Sequence, residues 1–162
     1  DINTDVSNCG ACGAVCNLAH ATANCVSGMC TILSCNAGYA DCDGLPSNGC
    51  EVNLNNNPDH CGSCPTVCSS NHMATRTCTS GICTGTCSSG YADCNGNLQS
   101  DGCEVNFYTD PANCGACGMA CSSNHMATVT CGSGMCTGTC ASGWYDCDGD
   151  LRSNGCEHSG SC

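Results

Sequence analysis

Residues 61–104 read CGSCPTVCSSNHMATRTCTSGICTGTCSSGYADCNGNLQSDGCE, a stretch of eight cysteines with one arginine as its only positive charge. The same string, slightly altered, runs over 9–51 and again over 114–157. The first copy holds Cys9, Cys12, Cys16, Cys25, Cys30, Cys35, Cys42 and Cys50. The second holds Cys61, Cys64, Cys68, Cys78, Cys83, Cys87, Cys94 and Cys103. The third holds Cys114, Cys117, Cys121, Cys131, Cys136, Cys140, Cys147 and Cys156, and all 24 are expected in disulfides. A period of 52 to 53 residues points to tandem modules. The chain divides into an N-terminal segment (1–8), repeat 1 (9–51), a linker (52–60), repeat 2 (61–104), a linker (105–113), repeat 3 (114–157) and a tail (158–162). The opening DINTDVSN aligns with the linkers EVNLNNNPDH and EVNFYTDPAN, so the sequence begins inside a linker, as though taken from a longer array.

With 25 cysteines and 21 glycines but one tryptophan and one phenylalanine, 162 residues cannot supply an ordinary apolar core. Such a composition predicts a disulfide scaffold, and with it an oxidising, extracellular compartment. No stretch reaches the roughly 20 apolar residues that cross a bilayer. A formal charge of −12, with Arg76 and Arg152 the only basic side chains besides histidine, disfavours nucleic acid and anionic lipid as partners.

Asn-Cys-Gly-x-Cys-Gly-x-x-Cys followed by Cys-x-x-Gly-x-Cys, at 8–30 and 113–136, resembles the Stig1-like (stigma-specific protein) cysteine-rich module. The full repeat, ending Gly-Tyr-Ala-Asp-Cys…Gly-Cys-Glu, is similar to the repeated cysteine-rich modules of bacterial, myxobacterial-type surface proteins, and Cys-x-x-Gly-Tyr-x-x-Cys also resembles the closing loop of EGF-like modules. The resemblance implies an extracellular location and structural or protein-binding roles. Repeat 2 departs from the first pattern at His60 and Pro65.

The expected fold is small and disulfide-rich: three tandem eight-cysteine modules, mostly loops with short β-hairpins, in an elongated array. ATRTCTSGICTGTC and ATVTCGSGMCTGTC place threonines on both sides of a Ser-Gly turn, a hairpin signal with Gly81 and Gly134 at positive φ. The head SNCGACGAVC reads as a compact turn or a single helical turn, with Asp5, Asp59 and Asp110 ahead of it as caps. Tyr39, Tyr91 and Trp144 hold one equivalent position and read as a miniature core against the cystines. Four disulfides within each repeat account for 24 cysteines and leave Cys162, in the tail, for an intermolecular bridge or a partner beyond this chain. Which cysteines pair is open, since eight allow on the order of a hundred connectivities.

The closing acidic loop is the strongest chemical candidate. Asp146, Asp148, Asp150 and Glu157 stand at relative positions 1, 3, 5 and 12, as in an EF-hand calcium loop, and Asp93, Asn95, Asn97 and Glu104 do the same in repeat 2. The position-6 glycine is replaced by Leu151 and Leu98, and in repeat 1 Asp41, Asp43 and Glu51 are one residue short of the frame. Solvated Asx turns are the competing reading. His20, His72 and His125 read as packing residues rather than copper or zinc ligands, lacking a local thiol or carboxylate partner. Thr-x-Thr pairs at 75/77, 84/86, 128/130 and 137/139 resemble the ice-binding faces of insect antifreeze proteins, although ordinary strand propensity also explains them. The same hydroxyls are O-glycan acceptors in principle, and no Asn-x-Ser/Thr sequon occurs. No nucleophile–base pair or phosphate loop is present, so a non-enzymatic function is expected. The leading expectation is an extracellular structural protein, a rod or fibre subunit that associates with itself or other extracellular proteins. An extracellular binding module for calcium, glycan or receptor comes second, and ice binding third.

Overall fold

Each repeat is built on a hairpin turned by Ser-Gly. In the computed structural model, which describes all 162 residues, strands β1 (Ala21–Val26) and β2 (Met29–Cys35), β5 (Met73–Thr79) and β6 (Ile82–Cys87), and β9 (Met126–Gly132) and β10 (Met135–Cys140) form three antiparallel pairs. Both turn residues lie at positive φ: Ser27 at 52° and Gly28 at 75°, Ser80 at 53° and Gly81 at 78°, Ser133 at 51° and Gly134 at 79°. That is the two-residue turn whose twist matches the strands it joins. The threonine pattern therefore gives the hairpins it predicts, and serine shares the left-handed conformation with glycine. Thr128 faces Thr139 and Thr130 faces Thr137 across β9 and β10.

The tails of the repeats form shorter ladders. Strand β3 (Tyr39–Ala40) pairs with β4 (Val52–Asn53), β7 (Tyr91–Ala92) with β8 (Val105–Asn106), and β11 (Trp144–Tyr145) with β12 (His158–Ser159), all antiparallel. β4 and β8 are the first residues of the linkers, so each linker is hydrogen-bonded back onto the repeat it leaves. The heads contain turns and no helix; the single helical element is one 3-10 turn at Pro46–Asn48. No helix is long and apolar enough to cross a membrane.

Every buried apolar residue is a cysteine, with Cys50, Cys103, Cys114 and Cys156 at 0 % exposure. Tyr39, Tyr91 and Trp144 are only half-buried, which corrects their reading as a core. Each instead lies flat on the histidine of its own repeat: His20 on Tyr39 at 3.8 Å between ring centroids, His72 on Tyr91 at 3.7 Å, His125 on Trp144 at 3.3 Å. The three histidines sit at φ of 49°, 48° and 50°, left-handed positions that turn the ring toward the tail. The packing role expected of them holds.

The sulfur connectivity links repeats as well as closing them. In each repeat the first cysteine bonds the fourth, the third the fifth and the sixth the eighth. Repeat 1 has Cys9–Cys25, Cys16–Cys30 and Cys35–Cys50, and repeat 2 has Cys61–Cys78, Cys68–Cys83 and Cys87–Cys103. Repeat 3 has Cys114–Cys131, Cys121–Cys136 and Cys140–Cys156. The fourth cysteine also touches the linker ahead of its repeat: Cys78 Sγ lies 3.4 Å from Leu54 O, and Cys131 Sγ 3.5 Å from Phe107 O. The seventh cysteine bonds the second of the following repeat, as Cys42–Cys64 and Cys94–Cys117. In repeat 3 the seventh, Cys147, bonds Cys162.

Two expectations are corrected. Cys162 is paired within the chain, and the free thiol is the exposed Cys12, which was expected in a disulfide of repeat 1. Four bonds inside each repeat are replaced by three, plus one that reaches across the linker. Cys131 and the other cysteines with partners in their own repeat keep the role expected of them. Cys42, Cys64, Cys94, Cys117 and Cys147 are bonded as expected, but to partners outside their own repeat. The physical reason is that each linker, paired onto the tail it leaves, brings the next head beside that tail.

Contacts divide the chain into two units, Asp1–Cys68 with Arg76–Gly85, and Ser69–Thr75 with Thr86–Cys162. In the first, the head of repeat 2 lies against its own hairpin turn. A Cβ on Gly62 would sit 2.6 Å from Gly81 O. Arg76 fastens the same head, Nη2 donating to Asp59 at 2.7 Å and Nη1 to Cys68 O at 3.1 Å. In the second unit, Arg152 Nη2 donates to Cys114 O at 2.9 Å and Gly134 O at 3.3 Å. Both arginines thus cap head carbonyls.

Candidate functional site

The acidic loops are positioned by the last three cysteines of each repeat. The eighth cysteine is wholly buried on the sixth, and the seventh is anchored outside the repeat, so the loop between them is held at both ends. The glutamate after the eighth cysteine folds back: Oε1 of Glu51, Glu104 and Glu157 accepts the N–H of Cys42, Cys94 and Cys147 at 2.9, 3.0 and 2.9 Å. The first aspartate of each loop accepts a glycine N–H through Oδ1, Asp41 from Gly44, Asp93 from Gly96 and Asp146 from Gly149, at 2.7, 2.7 and 2.8 Å.

The third loop position carries an Asx turn whose outer atom is tied across the loop. Asp43 Oδ2 accepts from Asn48 at 2.9 Å, and Asp148 Oδ2 from Asn154 at 2.8 Å. In repeat 2 the chemistry is exchanged: Asn95 donates to Asp101 at 2.6 Å. One acid and one amide are kept although their places swap. Sequence reasoning misses this coupling, although its signal is visible as Asp/Asn at 43/48, 95/101 and 148/154.

Carboxylate oxygens of Asp41, Asp43 and Glu51 lie within 4.8 Å of one another, as do those of Asp146, Asp148 and Glu157. Repeat 1 assembles the group despite its shorter frame, because the missing residue falls in the stretch that loops away around Pro46–Asn48. Repeat 2 has the equivalent Asp93, Asn95 and Glu104, with one carboxylate fewer. Asp150 is not in the group: it accepts from the backbone N–H groups of Arg152 and Ser153 at 3.2 Å and from the Ser153 hydroxyl. Asn97 likewise turns to Ser100. Four loop oxygens are buried without a hydrogen-bond partner, Glu104 Oε2 and Asp101 Oδ1 in repeat 2 and Glu157 Oε2 and Asn154 Oδ1 in repeat 3. Oxygen-only donor sets of this kind suit a hard divalent cation such as calcium. The clustered cysteine sulfurs Cys61, Cys68 and Cys83 are cystine sulfurs and offer no thiolate.

Hydrogen bonds to the ionised form hold three aspartates of these loops below their ordinary pKa of 3.8. The Leu45 N–H and then Asn48 lower Asp43; the Asp150 N–H and then Asn154 lower Asp148; the Ser153 side chain and then its N–H lower Asp150. A carboxyl depressed in the folded state stabilises the fold above its unfolded pKa, and that contribution fades as pH falls through the folded value. Thermal midpoints measured between about pH 6 and pH 2 are expected to fall as pH drops through the ordinary aspartate pKa and on through the lowered folded values. Asp148→Asn is expected to flatten the decline.

The threonine array is self-satisfied. Thr75 and Thr86 bond at 2.8 Å, Thr77 and Thr84 at 2.9 Å, Thr128 and Thr139 at 2.7 Å, and Thr130 and Thr137 at 2.9 Å. Cross-strand hydroxyl pairs are a source of sheet stability. Compared with protein families, curated proteins and solved structures, the chain matches none.

Proposed function

We propose that this chain is a non-enzymatic extracellular structural protein, a series of small modules welded to one another through sulfur. The observation that carries the reading is the pair of bonds Cys42–Cys64 and Cys94–Cys117, which fasten each repeat to the next where a flexible linker would leave it free. A disulfide-dense chain with no membrane-crossing helix suits an oxidising exterior. The resemblance to Stig1-like and bacterial surface modules agrees with that compartment.

Proteolysis tests it. Arg76 lies between Cys61 and Cys78, and Arg152 between Cys140 and Cys156, so a tryptic cut at either leaves both fragments bonded. Trypsin-treated protein is expected to run as one full-mass band without reductant and as fragments with it. Fragments released without reductant, or rapid loss of the band to prolonged thermolysin, would overturn the structural reading.

A second reading, calcium binding by the acidic loops, is favoured by the unpartnered Glu157 Oε2 and Asn154 Oδ1 beside Asp146 and Asp148. Calcium bound only by the folded loop stabilises it by about 2.7 kcal/mol at a free concentration about 100 times the dissociation constant. A rise in thermal midpoint on adding calcium is expected, reversed by chelator and diminished in Asp146→Ala. No shift would remove this reading.

A further inference from the structure

We infer that Ser27, Ser80 and Ser133, the first residues of the three hairpin turns, are sites of O-linked glycosylation, each hydroxyl taking a sugar from a phosphate-activated donor.

Six residues other than glycine lie at positive φ: His20, Ser27, His72, Ser80, His125 and Ser133. Such positions are sterically costly for a side chain, and Asn, Asp and His tolerate them best. The three histidines are held there by contact, each ring stacked on Tyr39, Tyr91 or Trp144. The three serines have no such contact, and all are exposed. Thr79, beside Ser80, bonds Thr84 at 3.0 Å, whereas no hydrogen bond inside the chain involves Oγ of Ser27, Ser80 or Ser133. Turn chemistry does not ask for serine either. A two-residue turn with both φ values positive favours Asn-Gly, Asp-Gly or Gly-Gly. The chain contains Asn-Gly three times, at 48–49, 95–96 and 154–155, and in none of the hairpin turns. Strain that nothing local offsets implies a use for the residue that bears it.

The surroundings suit a sugar acceptor. The glycine of each turn is tied to the linker ahead of it. Gly28 N donates to Asn3 O at 3.2 Å, and Gly81 N to Asn55 O and Gly134 N to Tyr108 O, both at 3.4 Å. The turn is thus fixed from one side, and the serine is left on the open one. After each glycine comes a large apolar side chain that the fold leaves bare: Met29 66 %, Ile82 67 % and Met135 66 % exposed. The C–H face of a pyranose can cover such a side chain while its hydroxyls stay in water. The threonines are poorer acceptors, because Thr75, Thr77, Thr128 and Thr130 already bond their partners across the strands. A neutral sugar also adds no repulsion to a chain of formal charge −12, as a phosphate would.

In the transfer, serine Oγ attacks the anomeric carbon of a sugar carried as a phosphate ester, and the glycosidic C–O bond forms. The anomeric C–O bond to phosphate breaks. The phosphate departs with the electron pair, and the hydroxyl proton passes to a base of the transferase.

The inference goes beyond the structural reading, and the trypsin test of that reading stands whatever sugar analysis returns. Protein purified from the organism that makes it is weighed intact, then mapped by fragmentation of its reduced peptides. Mass above that of the polypeptide is expected, in whole sugar increments placed on Ser27, Ser80 and Ser133 and lost on alkaline β-elimination. Ser80→Asn made in the same organism should lose the increment of repeat 2 and keep the other two. In a host that adds no sugar, the same variant should melt at a higher temperature than the parent, because asparagine suits the left-handed position better. An intact mass equal to that of the bare polypeptide overturns the inference, as do increments confined to threonines. A variant that melts lower would show that the turn itself requires serine, and overturns it too.

Discussion

Replacing Cys87 and Cys103 together by alanine is expected to unfold the tail of repeat 2 and lower global stability by about 2–5 kcal/mol, the usual cost of deleting a native disulfide from a small secreted domain. The bond closes 16 residues of chain, for which loop-closure entropy alone gives roughly 3 kcal/mol. Packing adds to it, because Cys103 is wholly buried and its sulfur lies 3.2 Å from Met73 Sδ. The consequence is directional: the acidic loop hangs from Cys103 and Cys94, so Glu104 loses the position from which it bonds the Cys94 amide. Denaturant unfolding with far-UV circular dichroism measures the cost. A variant as stable as the parent would show that the cystine is not the core of the tail.

Gly62→Ala is the second large effect, arising without touching sulfur. Gly62 sits at φ +78°, where an L side chain is strained, and its new Cβ would meet Gly81 O at 2.6 Å. Gly96 has nearly the same φ, +79°, with nothing within 4 Å. Gly96→Ala therefore reports the left-handed penalty alone, about 1–2 kcal/mol. Gly62→Ala adds a clash between two backbone segments that Cys61–Cys78 holds together, for a total of roughly 3 kcal/mol or more. Equal losses in the two variants would mean that the head does not press on the hairpin turn.

Much of this molecule is legible in its sequence. The repeat period, the disulfide-rich class and the threonine hairpins follow from spacing and side-chain type alone. The acidic loops lie where carboxylates alternate, and the Asx turns that compete with a calcium frame there are present. The pairing of cysteines is not legible, and the reason is geometric. Bonded residues lie 5.3 to 5.8 Å apart at Cα, a distance set by how linkers fold back and not by position within a repeat. Cys131 and Cys147 look alike on paper, yet the first closes on its own head through Cys114 and the second turns away to Cys162. Assigning each repeat a closed set of four bonds makes Cys162 the remainder; because the seventh cysteine reaches forward, the remainder is Cys12. Asp150 fits the calcium frame by spacing but is drawn off by Ser153, since a nearby hydroxyl and amide satisfy it before the loop turns inward. The aromatic positions are evident from the repeat and their surroundings are not, because the left-handed turn at each histidine leaves no trace in composition.

The overlapping sulfur bridges also govern how the chain bears load. Between Cys9 and Cys162 only Thr31–Ser34, Thr84–Thr86 and Thr137–Thr139 lie outside every disulfide loop. All three fall inside hairpin strands, where the backbone already runs near its full length of about 3.3 Å per residue. A pull along the chain passes through cystines, these strands and the short segments between overlapping bridges, such as 35–42 and 87–94. The rest of the chain inside each disulfide loop is held back from tension until a covalent bond breaks.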